Sequence, residues 1–219
     1  MWLMKSKVAF FVDGFNVYHA INNIVARDIK KNYLKWVDLR KLFERFIDNK
    51  TEEIADIFYF TATPDHIRKT GVLDRYNALV RVYMQHLKIK VVKGKFKKKH
   101  ARCPKCHQRY EGHEEKQSDV NLCLYLLKSA YENWYDRMVL VTQDSDMAPV
   151  AKMVQTIRPG KLTLLTPPEL SPSKEISKIL GSGGIIKEVH LGSALLDAIY
   201  YNKDGRVAVM RPVEYDPPC

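Results

Sequence analysis

Cysteine is scarce in this chain, with Cys103, Cys106, Cys123 and Cys219 the only four. They are too few and too unevenly spaced for a secreted disulfide framework. No apolar run approaches the roughly 20 residues that would span a bilayer, so no membrane partner is expected. Met1 to Lys7 lacks the pattern of a signal peptide, and a cytoplasmic protein is the expectation. No glycine-rich phosphate loop of the Walker or dinucleotide type occurs, nor a serine-centred nucleophile elbow. Acidic residues are outnumbered by basic ones, 25 to 36, for a formal net charge of +11. A surplus of that size favours polyanionic partners. Apolar residues make up 46% of the 219, enough for a core, which excludes global disorder.

The apolar residues come in alternating strand and helix patterns. Lys7–Val12 is a short run of strand formers that stops at Asp13-Gly14, as expected of a strand buried on both faces. Helical patterns follow at Val17–Arg27 and Val37–Ile47. Further strands are predicted at Ile54–Thr63, Ile89–Val92, Met138–Thr142, Leu162–Thr166 and Ile185–His190. Helices are predicted at Thr70–Leu87, Ser118–Trp134, Asp146–Ile157 and Ser173–Leu180. This alternation predicts an α/β domain with a mainly parallel sheet and helices on both faces. One domain is expected over residues 1–200, with 93–115 as a basic, CxxC-containing insertion without periodicity. A loose tail is expected over 201–219.

In open parallel sheets the site lies beyond the carboxyl ends of the strands. Asp13 stands at such an end, with Asn16 in the following turn. Asp144 and Asp146 follow the Met138–Thr142 strand, and Asp119 opens a helix. Singly, each has a structural explanation as a turn residue, a cap or a dipole partner. Together they form a cluster whose charges repel, at roughly 4 kcal/mol for two charges about 4 Å apart at an effective dielectric near 20. A divalent cation removes that cost, and oxygen-only ligands favour Mg²⁺ or Mn²⁺. Phosphodiester hydrolysis is the chemistry that such a site suggests.

Lys93, Lys95, Lys97, Lys98, Lys99 and Arg102 crowd one short stretch together with Phe96. They would hold phosphates in a salt-sensitive way, and Phe96 and Tyr110 could stack on unpaired bases. Cys103-Pro104-Lys105-Cys106 has zinc-knuckle spacing, with His100, His107 or His113 available to complete the site. The alternative for this stretch is a solvated loop with two free thiols.

Three segments resemble the NYN domains, which belong to the PIN-like nucleases. They are Phe11-Val12-Asp13-Gly14-Phe15-Asn16-Val17, Glu114-Glu115-Lys116-Gln117-Ser118-Asp119-Val120-Asn121 and Leu140-Val141-Thr142-Gln143-Asp144-Ser145-Asp146. Their order and spacing also match, and the resemblance runs from about Val8 to His190. It implies a PIN-like three-layer α/β/α fold, Mg²⁺ or Mn²⁺ binding and RNA cleavage. Asp13, Asp119, Asp144 and Asp146 would bind the metal, Asn16 would orient a carboxylate or a bound water, and Thr142 matches a small hydroxyl position. One departure is Gln143, where the family usually has glycine, whose backbone freedom glutamine lacks. The expected activity is that of a metal-dependent ribonuclease. The alternative is a non-catalytic RNA-binding or regulatory module. A structural Zn²⁺ on Cys103, Cys106 and His113 is an added expectation, as is RNA as partner. A second copy of the chain is held open as another.

Overall fold

The computed structural model describes residues 4–67, 71–102 and 105–218. At its centre lies β1 (Ser6–Asp13), whose six residues from Val8 to Asp13 are all buried. Alternate side chains leave a strand on opposite faces. Phe10 and Val12 therefore enter one apolar cluster, and Ala9 and Phe11 enter the other. Parallel neighbours flank β1, with β2 (Glu52–Ala62) on one side and β5 (Arg137–Val141) on the other. The remaining strands are β3 (Lys90–Arg102), β4 (Arg109–Lys116), β6 (Leu162–Thr166) and β7 (Gly184–Ile185). The seven-stranded order is β4-β3-β2-β1-β5-β6-β7, parallel except for the β3–β4 pair.

Helices cover both faces. On one lie α1 (Gly14–Arg27), α2 (Leu39–Phe43) and α3 (Val72–Gln85), which bury Ile21, Ile24, Leu42, Phe43 and Tyr83. On the other lie α4 (Ser118–Tyr131), α5 (Ala148–Ile157) and α6 (Lys174–Leu180), which bury Leu122, Leu126, Val154 and Ile176. No described helix is long and apolar enough to cross a membrane.

The structure departs from the sequence expectation in three places. Residues 93–115 are not an irregular insertion, because β3 continues from the parallel sheet into an antiparallel hairpin with β4. Lysine is a poor strand former, so period and propensity hide this strand. Opposite charges across the ladder supply the support instead, with Lys98 Nζ 3.5 Å from Glu111 and Lys99 Nζ 3.3 Å from Glu114. The segment Ile185–His190 is not a strand beyond Ile185. Ile186 turns into the core, and α7 (Glu188–Gly192) follows, closed by the Lys187 amide donating to His190 Nδ1 at 3.1 Å.

The tail after Asn202 is not loose. β8 (Ile199–Tyr201) and β9 (Val207–Met210) form a hairpin whose Val209 is only 6% exposed. Asp204-Gly205 is a standard hairpin-turn pair, and Gly205 has φ of +78°. The segment is then tied back to the body. Asn32 Nδ2 donates to the Glu214 carbonyl at 2.6 Å, Arg75 pairs with the Glu214 carboxylate at 2.6 Å, and the Tyr215 ring lies 6.3 Å from that of Trp36. Val209→Asp would bury an unpaired charge and should lower the unfolding free energy in urea by about 2–4 kcal/mol. A loss below about 0.5 kcal/mol, typical of an exposed position, would mean that the hairpin does not belong to the core.

Candidate active site

The first motif is fixed where β1 becomes α1. Asp13 ends the strand and caps the helix, its Oδ1 accepting from the Asn16 amide at 3.0 Å. Gly14 permits this junction. A Cβ there would sit 2.4 Å from the Phe60 carbonyl oxygen and 2.7 Å from Tyr59 Cζ, so only glycine lets α1 start flush against β2.

The third motif is bonded directly to the first. Asp13 Oδ2 accepts from Asn16 Nδ2 at 2.7 Å and from the Thr142 hydroxyl at 3.0 Å. Thr142 Oγ1 in turn accepts the Asp144 amide at 3.1 Å, and Asn16 Oδ1 accepts the Gln143 amide at 3.0 Å. Asp144 then caps the turn that follows, accepting from the Asp146 amide at 3.0 Å. Gln143 is not among the described residues with positive φ. The place where the family has glycine therefore makes no backbone demand that glutamine fails to meet.

The second motif enters from the other side. β4 passes into α4 through Gln117, which takes a left-handed φ of +84°. The Ser118 amide donates to Glu115 Oε1 at 3.0 Å, and the Ser118 hydroxyl donates to the Thr61 carbonyl at 3.3 Å. Gly94 makes room, since a Cβ there would lie 2.6 Å from Glu115 Oε1 and 2.7 Å from Ser118 Oγ. Asp119 thus sits at the exposed rim of the first turn of α4. Glu115 belongs to the second motif, and its contact with Ser118 and its charge beside Asp119 bring it to the site.

The four aspartates share one field. Asp13, 5% exposed, has its carboxyl pushed up to about 6, first by burial and then by Asp119 and Asp144, against the lowering effect of its hydrogen bonds. Asp119 is also raised, by partial desolvation first and then by Glu115, Asp144 and Asp146. Oxygen donors that repel one another suit a hard divalent ion. Among the described residues, no three His, Cys, Asp or Glu groups stand close enough together to hold a metal ion, and Mg²⁺ is commonly held by one or two carboxylates with water. The carboxylates form an acidic mouth.

The basic residues are only partly available. Lys98 and Lys99 face Glu111 and Glu114 across the hairpin, and Lys93 Nζ lies 5.9 Å from the centre of the Tyr76 ring. Among the described residues, Lys95, Lys97 and Arg102 have no carboxylate within 4.0 Å. Cys103 lies outside the described residues, as does the side chain of Tyr110. Cys106 is an exposed free thiol, and the His113 ring stacks on His66 at 4.4 Å.

A cavity of about 660 Å³ opens beside the acidic mouth and includes Gly14, Phe15, Tyr18, Tyr76, Phe96 and Tyr215 in its walls. Of its aromatic residues the sequence reading marked Phe96 alone as a recognition residue. The position of Phe15, two residues after Asp13, was the available signal.

The Asp13 shift has a consequence for stability. In the folded chain its carboxyl keeps its proton to about pH 6, against an ordinary 3.8. Between those values the folded state binds more protons than the unfolded one. This contribution is therefore fully present below the ordinary value and is lost as pH rises through about 6, by about 3 kcal/mol in all. Asp13→Asn removes the slope. In urea titrations with EDTA, the variant should gain about 3 kcal/mol on wild type between pH 3.5 and 7.5. A gap that does not change with pH would show Asp13 ionising as freely as in the unfolded chain.

Comparison with known proteins bears on the fold and the family. A crystal structure of a protein of unknown function from Vibrio parahaemolyticus superposes with a TM-score of 0.54 at 17% identity, covering 88% of this chain and 97% of that one. At that identity the likeness concerns the fold. A curated relative, the 6-hydroxy-3-succinoylpyridine 3-monooxygenase of Pseudomonas putida, is 26% identical over an alignment covering 74% of this chain. The alignment spans 59% of that protein, less than two thirds of its length. Residues 7–178 match the NYN domain. That match runs from β1 into α6 and takes in six of the sheet's seven strands, and this chain belongs to the NYN domain family of PIN-like nucleases.

Proposed function

We propose that the protein is a divalent-metal-dependent ribonuclease whose fold follows the PIN-like α/β/α layering. The observation that carries this reading is the bonded set Thr142–Asp13–Asn16, which joins two acidic strand ends, with Asp119 within their field. Asp13, Asp119, Asp144 and Asp146 would hold Mg²⁺ or Mn²⁺. Such an ion supplies a water of lowered pKa and neutralises charge that develops on phosphate.

The chain's own residues do the positioning. Asn16 and the Thr142 hydroxyl fix the Asp13 carboxylate in one orientation, and the Asp146 amide does the same for Asp144. Lys95, Lys97 and Arg102 offer cations to the RNA backbone along β3. A zinc ion on Cys103 and Cys106 is a subsidiary proposal, and its other ligands would come from elsewhere than His113, which pairs with Lys98 down the ladder and stacks on His66.

A second reading draws on the cavity and on the name of the Pseudomonas putida relative. Oxidation of a small nitrogen heterocycle would need a pocket of this kind near the mouth. One fold can carry unrelated chemistries.

The test is cleavage of labelled single-stranded RNA with Mg²⁺, Mn²⁺ or EDTA, for wild type, Asp13→Asn and Asp146→Asn. Cutting should require the ion and fall at least about 100-fold in both variants, on the scale of losing a transition-state contact. RNA binding should be largely kept. Folded wild type that binds RNA and cuts it in no metal would be a regulatory module. Oxygen uptake with 6-hydroxy-3-succinoylpyridine and a reductant, with RNA left intact, would favour the second reading.

A further inference from the structure

The cavity beside Asp13 is not accounted for by phosphodiester chemistry, which needs only the acidic mouth. Its walls are flat and aromatic. Phe15 meets Phe96 edge-on at 5.8 Å, and Phe96 lies 4.1 Å from the His66 ring. Its size, about 660 Å³, falls within the range of small-molecule sites, about 300–1,000 Å³.

The walls are not uniformly apolar. The Tyr76 hydroxyl stands beside Thr61 and Thr63, and His66 Nδ1 lies 4.0 Å from the Asp65 carboxylate. Polar groups set among the rings suit a planar ligand with a polar edge.

The rim is cationic, with Lys35 Nζ 5.7 Å from the Tyr18 ring centre and Lys93 Nζ 5.9 Å from that of Tyr76. The cavity also adjoins the acidic mouth. Gly14 and Phe15 line it immediately after Asp13, and the Tyr59 hydroxyl in its wall has its pKa raised by burial first, then by Tyr76 and Asp13. Glu214 and Tyr215 close the far side, beyond the residues that match the family.

We propose that this cavity is a nucleobase pocket, which takes the planar heterocycle of a nucleotide whose phosphate lies at the Asp13 end. The inference deepens the ribonuclease reading and rests on it for the placement of the phosphate.

Binding is measured by titrating the full chain, with Mg²⁺ present because these probes hold no phosphodiester to cut, with AMP, UMP, ribose 5-phosphate and 6-hydroxy-3-succinoylpyridine. AMP or UMP should bind saturably and at least about tenfold more tightly than ribose 5-phosphate, as stacking on aromatic walls requires. Phe15→Leu should weaken AMP about tenfold. Tyr76→Phe, which keeps the ring and removes only the hydroxyl, should weaken it about threefold, with thermal unfolding confirming that both variants fold.

Displacement of AMP by single-stranded RNA would identify the base as strand-borne, and failure of displacement would identify a free nucleotide. Both outcomes uphold the pocket. Equal binding of AMP and ribose 5-phosphate would overturn it, as would AMP affinity untouched in both variants. So would binding of the pyridine with no nucleotide bound. Metal-dependent RNA cutting without AMP binding removes the pocket alone. AMP binding by protein that cuts no RNA removes the nuclease reading and keeps the pocket.

Discussion

Everything at the mouth depends on holding negative charges together against their own repulsion. The structure meets that requirement with rigidity. Asp13 is surrounded by three donors, namely the amide and side chain of Asn16 and the Thr142 hydroxyl, and β1 and β5 run side by side into the same site. A carboxylate that cannot swing away stays buried beside like charges, and the raised pKa of Asp13 records the burial first and the repulsion second. That arrangement requires a scaffold with no slack, and the parallel sheet supplies one. All six residues from Val8 to Asp13 are buried, and Phe10 stacks on Phe43 at 4.3 Å beneath them.

Asn16 carries more than its position in the motif suggests. Its side chain donates to Asp13 and accepts from the Gln143 amide, so one amide group spans two loops that lie 127 residues apart in sequence. That bond depends on the backbone at position 143 and leaves its side chain free to vary. Glutamine can thus stand in for glycine there without disturbing the carboxylates.

Legibility in the sequence followed physical cause. The apolar run of β1, the helical faces of α1 and α4 and the three acidic motifs were readable, because burial and chemistry both select residue type locally. The β3–β4 hairpin was not. Its strands are held by Lys98 and Lys99 against Glu111 and Glu114, and pairing of that kind is invisible until the register is known. The C-terminal hairpin was masked by its polar turn, although Asp204-Gly205 and the valines at 207 and 209 carried the signal. The cavity was hidden for a different reason. Phe15, Tyr76 and Tyr215 come from three distant segments, and nothing in any one of them marks a shared wall.

The central position of β1 also bears on how the chain is made. Synthesis delivers Val8–Val12 well before one of its two neighbours, β5, which begins at Arg137. Until that strand leaves the ribosome, β1 has an unpaired edge, the kind of edge that captures other chains. The same order that places the first aspartate at the heart of the sheet gives the nascent chain a long sticky interval.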